Sequence, residues 1–169
     1  MITALFTSAI VAAIVALFVT HAERYHDLYV PIVVEDPRWM PERMSDHAAG
    51  WDLRAALPTP YTLAPRTHAI IPTGVRIALR PGYEAQIRPR SGLGSTHGVS
   101  CLLGTIDADY RGIIQVILFN HSDYPYAIQP GDRIAQLVIT QLAPVLLSRQ
   151  RTLPPSRRAE RGLGSTGVA

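Results

Sequence analysis

The chain of 169 residues has no lysine and a single cysteine, Cys101. One cysteine excludes an internal disulfide, so the fold must rest on its core. Without lysine, arginine carries all the basic charge, which reads as coding bias from a GC-rich genome, not as mechanism. The net charge of +3 is modest. The excess comes from Arg149, Arg151, Arg157, Arg158 and Arg161, crowded near the C-terminus. A nucleic-acid binder could show such a run, but beside glycines it suits a small polyphosphate equally well, and no nucleic-acid partner is expected from the reading below. The histidines, His21, His26, His47, His68, His97 and His121, lack zinc-ligand spacing. The hydrophobic fraction is 47%, ordinary for a globular protein, which excludes global disorder.

Charge is also missing from residues 1–20, where Ala, Ile, Val, Leu and Phe dominate. A helix of that length spans about 30 Å, near the thickness of a bilayer core. The segment lacks the basic start of a secretory signal. Residues 1–27 are therefore expected to be an apolar extension, with a membrane helix and a helix packed on the body both open. From residue 28 no convincing helical stripe is present. Short apolar runs take over: Thr67–Pro72, Val75–Leu79, Glu84–Pro89, Ile113–Asn120, Arg133–Thr140 and Pro144–Leu147. Turn signals such as Pro72-Thr-Gly74, Pro81-Gly82 and Pro130-Gly131 separate them. The spacing predicts an all-β sandwich or barrel over residues 28–148. Residues 149–169 turn to Arg, Pro, Ser and Gly and are expected to form a flexible tail.

The most informative segment is Gly104-Thr-Ile-Asp-Ala-Asp-Tyr-Arg-Gly112. It places Asp107 and Asp109 beside Tyr110, with a glycine at each end. Its context predicts a hairpin entering a strand. The end glycines let backbone approach a ligand. A carboxylate in a pocket can orient or deprotonate water, and a tyrosine can face a sugar. Taken alone, such a nonapeptide is more often a solvated acidic turn.

Four further segments surround it in a fixed order: Ala49-Gly-Trp-Asp-Leu-Arg54, Arg88-Pro-Arg-Ser-Gly-Leu-Gly94, Gly131-Asp-Arg-Ile-Ala-Gln-Leu137 and Arg158-Ala-Glu-Arg-Gly-Leu-Gly-Ser-Thr-Gly167. Together the five resemble the motifs of the trimeric dUTPase (deoxyuridine triphosphatase) family, from about Tyr29 to the C-terminus. The resemblance implies a distorted jelly roll assembled as a homotrimer with shared active sites. It implies cytoplasmic hydrolysis of dUTP to dUMP and pyrophosphate with Mg2+, which is held mainly by phosphates and water and not by direct protein ligands. Asp107 would orient the attacking water, with Asp52 near the metal and water. Arg90, Ser91, Gly92 and Gln136 would hold phosphates. Thr105, Ile106 and Tyr110 would face the nucleoside, with Tyr110 against the deoxyribose. Arg158, Leu163, Gly164, Ser165 and Thr166 would close over the substrate as a lid.

Three departures from the family pattern stand out. Leu163 replaces a phenylalanine that stacks on uracil. Cys101 stands where bacterial members carry a uracil-reading asparagine, in a loop two residues shorter. Arg161 replaces a tail glycine. Two rival readings follow. A deoxycytidine triphosphate deaminase on the same fold needs a glutamate three residues before Asn120, where Ile117 stands. A non-catalytic nucleotide-binding or signalling protein is the alternative for which the departures speak.

Overall fold

The computed structural model describes residues 28–161. Strand β11 (Arg133–Gln141) organises the larger sheet. It pairs antiparallel with β2 (Trp51–Arg54) on one side and β6 (Tyr83–Arg88) on the other, and β8 (Gly104–Ile106) continues the sheet beyond β6. The facing sheet has β9 (Gln115–Asn120) between β4 (His68–Pro72) and β7 (Val99–Cys101). Two short antiparallel pairs complete the body: β1 (Ile32–Val34) with β5 (Val75–Ile77), and β3 (Tyr61–Leu63) with β10 (Tyr126–Ile128). This is an all-β, jelly-roll-like fold.

Period-2 alternation explains the core. On β9, Val116, Leu118 and Asn120 point inward while Gln115, Ile117 and Phe119 face outward. Leu53, Ala85, Ile87 and Leu137 answer from the larger sheet. The side chain of Asn120, 1% exposed, donates to the carbonyls of Leu63 and Tyr124 and accepts from Ser122, so its burial leaves no polar group unmet. The Pro130-Gly131 turn leads into β11, with Gly131 at φ 87°, a left-handed conformation that glycine adopts without Cβ strain.

Two expectations are corrected, and one short helix without an apolar stripe is added: α1 (Ser91–His97). Its seven residues include two glycines and bury only Leu93, too little for an apolar stripe, and Gly98 ends it in the left-handed conformation. The segment from Gly104 to Gly112 is not a paired hairpin. Its flanking strands belong to different sheets, β8 pairing with β6 and β9 with β4 and β7. Residues 144–147 form no strand; Leu146 and Leu147 are 98% and 97% exposed. From Gln141 onward every described residue is exposed. Among the described residues, no helix is long and apolar enough to cross a membrane. The expected N-terminal helix lies outside them.

Candidate active site

Asp52 on β2 is the most buried acid of the described chain, at 2% exposure, and its carboxylate is fully engaged. Arg133 Nη1 donates to Oδ2 at 3.1 Å, Gln136 Nε2 donates to Oδ1 at 3.2 Å, and Arg90 Nε lies 3.4 Å from Oδ1. Arg90 Nη1 also donates to the Arg133 carbonyl at 2.8 Å. Asp52 therefore fixes two guanidinium groups side by side. Asp132, in the adjoining cavity, offsets part of the charge of the two arginines, and their guanidinium groups, partly open to solvent, still offer donors that suit a polyphosphate.

A backbone irregularity makes this cluster possible. Arg133 and Gln136 are three residues apart, so a regular strand would send them to opposite faces. The register of β11 against β2 shifts between Arg133 and Ala135. That extra residue re-phases the strand and lets both side chains reach Asp52. Replacing Asp52 by alanine should strand the two arginines together. A cost of about 2 kcal/mol is expected, below the range for fully buried pairs because both arginines keep solvent contact. Asp52→Asn should cost less, since its carbonyl can still accept from Gln136. Thermal unfolding checks this, and an unchanged midpoint in the alanine variant would show that the cluster adds nothing to stability.

Arg90 precedes α1, whose first residues, Ser91 and Gly92, are exposed beside the cluster. A Cβ at Gly92 would meet nothing within 4 Å, so packing does not require glycine there and the surface stays open. Arg90, Gly92, Leu93, His97, Tyr126, Asp132 and Arg133 line a cavity of about 360 Å³. The rings of His97 and Tyr126 sit 5.0 Å apart in it. Burial, followed by the Asp132 charge, raises the Tyr126 phenol pKa above its usual value, so it enters this cavity as a neutral hydroxyl.

Asp107 and Tyr110 line a second cavity of about 250 Å³, with Ile70, Thr105, Ile106, Gln115 and Ile117. The loop between β8 and β9 builds it. Tyr110 N donates to the Asp107 carbonyl at 3.1 Å, and the Tyr110 hydroxyl donates to the Ile113 carbonyl at 3.0 Å. The Tyr110 ring thereby folds over Gly112, where a Cβ would collide with it. Gly112 thus makes room for its own loop, and at Gly104 a Cβ would press on Ile87 at 3.2 Å. Among the described residues, the Asp107 carboxylate accepts no hydrogen bond and joins no ion pair, which leaves it free for water. Ile117, at the deaminase glutamate position, lines this cavity and has no proton to transfer.

The expected residues thus fall into separate groups. Thr105, Ile106, Asp107 and Tyr110 share one cavity. Arg90, Asp52 and Gln136 form the other cluster, with Ser91 and Gly92 at its edge. Cys101 joins neither: it is 7% exposed, in the core, with burial raising its thiol pKa to about 11. It stays protonated at neutral pH and is not among the residues that line the Asp107 cavity. Arg158 lies on the exposed arm, its Nε donating to the Arg161 carbonyl at 2.8 Å. Leu163, Gly164, Ser165 and Thr166 lie outside the described residues. Arg133 was not legible as a site residue, because only the bulge turns it toward Asp52.

A jelly-roll-like body with an acid–tyrosine cleft and an arginine cluster around a buried aspartate defines a nucleotide hydrolase. The dUTPase family model matches residues 36–167, and the chain belongs to that family. Its activity is that of a dUTP diphosphatase. The family uses Mg2+ and is generally trimeric. Solved phage structures agree with this assignment. The Staphylococcus bacteriophage 80alpha dUTPase bound to dUpNHpp is 28% identical, with a TM-score of 0.75, over 83% of this chain and 99% of that one. A variant of the dUTPase of phage phi11 of S. aureus, whose structure describes coordination of a structural Mg(II) ion, is 25% identical. Its TM-score is 0.67, over 73% of this chain and 97% of that one.

The residues present fit Mg2+ of a particular kind. Both oxygens of Asp52 are occupied by arginine and glutamine donors. A hard ion at this cluster would take its oxygens chiefly from triphosphate and water.

Proposed function

We propose that dUTP is hydrolysed at sites assembled between subunits of a homotrimer, with Asp107 orienting the attacking water. One observation carries this reading. The cavity of Asp107 and Tyr110 and the cavity of Arg90 and Arg133 have no lining residue in common within one chain. The cleft of one subunit holds the nucleoside, and the arginine cluster of a neighbour holds the phosphates.

In this mechanism Asp107 accepts a hydrogen bond from water and aligns it with the α-phosphorus. A new P–O bond forms, the bond to the α–β bridging oxygen breaks, and pyrophosphate leaves while the water proton passes toward Asp107. Arg90, Ser91, Gly92 and Gln136 hold the phosphates, and Arg133 adds charge beside them. Tyr110 packs on the deoxyribose and leaves no room for a 2′-hydroxyl. Bound Mg2+ neutralises phosphate charge. Residues 149–169 close over the site, with Arg158, Gly164, Ser165 and Thr166 on the terminal phosphate and Leu163 over the base. A non-catalytic role on this fold is not favoured, since Asp107 is kept free and the cluster is fully built.

Mixed trimers test the shared site. Asp107→Asn and Arg90→Ala homotrimers should each be inactive. Unfolded together and refolded, they should regain pyrophosphate release from dUTP, because some sites then combine two intact halves. Mixtures as inactive as their components would confine the site to one chain.

Residues 1–20 act in this reading as a membrane tether, with the catalytic body on the cytoplasmic side. Their lack of charge and their length support it. Deleting residues 1–27 should leave an active trimer, since all five motifs lie beyond them. The full-length protein should fractionate with membranes. Finding it only in the soluble fraction would exclude the tether.

A further inference from the structure

We propose that an apolar groove beside Leu28 takes the acyl chain of an anionic phospholipid and seats the body of the protein on the bilayer surface. The inference rests on the tether reading of residues 1–20 and names the face that the tether brings to the membrane. Leu28 and Tyr29 line two adjoining cavities, of about 250 Å³ and about 440 Å³, which also share Trp51 and Ile139. Ile77 and Leu137 are buried at the base of the groove. Tyr29, 88% exposed, and Met40, 45% exposed, stand at its rim, with Tyr83 across from them.

Arg43 is the one charged residue that lines either cavity, and no acid does so among the described residues. Its guanidinium lies 4.1 Å from the centroid of the Trp51 ring. It makes no ion pair or hydrogen bond to a described residue. The neighbouring acid, Glu42, is paired with Arg54 at 2.9 Å. Glu84, next to Tyr83 on β6, falls by alternation on the other face of the strand. An apolar slot with aromatic rings and an unpaired guanidinium at its mouth matches a molecule with a long apolar chain and an anionic head. Trp, Tyr and Arg are also the side chains that favour the boundary between bilayer and water.

Distance makes that molecule a membrane lipid. Seven residues, 21–27, join the apolar segment to Leu28. Fully extended they reach about 25 Å. That is less than the width of about 35 Å expected of a domain of this size. A tether so short holds the Leu28 face against the bilayer. The family is generally trimeric, and a three-fold axis normal to the membrane sets three grooves at one level, so that three weak contacts act together.

The test uses the full chain reconstituted into vesicles. Trp39 and Trp51 are its two tryptophans, so Trp39→Phe leaves Trp51 as sole reporter, and dUTP hydrolysis checks that each variant is folded. Mixed phosphatidylcholine and phosphatidylglycerol vesicles with brominated acyl chains should quench Trp51 emission about twofold, and brominated phosphatidylcholine alone much less. Adding Arg43→Glu should reduce quenching by the anionic vesicles to the phosphatidylcholine level. The protein should still float with the vesicles, because residues 1–20 are intact. Flotation with Trp51 unquenched would overturn the groove and leave the tether standing. A protein that does not float would overturn both. Quenching indifferent to lipid charge and to Arg43→Glu would mark a contact imposed by the tether alone and overturn the site. Emission that answers to Leu146→Ala and not to lipid would give the groove to the arm of a second copy and overturn the inference.

Discussion

Asp107→Asn should lower kcat for dUTP by about a thousandfold while changing substrate affinity by no more than about threefold. Asparagine matches aspartate in shape and still accepts through one oxygen, so the loop and the cleft survive. It cannot take a proton from water, and general-base groups contribute about 100- to 10,000-fold. The structure favours a pure chemical loss. The Asp107 side chain has no hydrogen-bond partner among the described residues, so neutralising it breaks no contact. The turn is held by the Asp107 backbone carbonyl, which accepts from Tyr110 N at 3.1 Å. Steady-state kinetics with calorimetric binding of a non-hydrolysable dUTP analogue separate the two effects. An unchanged kcat would remove Asp107 from the mechanism, and weakened binding with unchanged kcat would make it a nucleoside contact only.

The parts of this molecule that the sequence made legible share a physical cause. Strands β4, β6, β9 and β11 lie close to the runs expected for them because each is long enough to show alternation. Shorter strands such as β7 and β8, three residues each, carry too few residues to show a period. The loop from Gly104 to Gly112 looked like a hairpin because turn chemistry is local. Which sheet each arm joins is a tertiary choice, fixed by β6 for one arm and by β4 and β7 for the other. The same limit hid Arg133. Motif order pointed to Asp52, Arg90 and Gln136, but a strand read at period 2 puts Arg133 on the wrong face, and the one-residue bulge is invisible in composition. Cys101 shows the converse error. Its position in the chain suggested a base contact, whereas its neighbours on β7 and β9 make it a core residue. Residues 144–147 are apolar for a reason the isolated chain does not reveal. Their pattern asks for burial, and a trimer offers surfaces that one subunit lacks.

Ending the chain after Ser156 should cost about a hundredfold in kcat with no loss of thermal stability. Both halves of that expectation follow from the arm. Every described residue from Gln141 onward is exposed, so removing the tail takes nothing from the core, and the unfolding midpoint should hold. The same cut removes Arg158, Ser165 and Thr166, the terminal-phosphate contacts of the proposed lid, together with Leu163 over the base. An open site lets water screen the charges that the Arg90–Arg133 cluster brings to bear, which weakens them at the moment the pyrophosphate leaves. KM should rise less than kcat falls, because the nucleoside cleft and the arginine cluster remain to bind substrate. Measuring kcat, KM and the melting midpoint on one preparation separates a lid from a structural arm. A lowered midpoint would show that the tail braces the assembly. Turnover as fast as that of the intact chain would make the last motif a remnant without a part in catalysis.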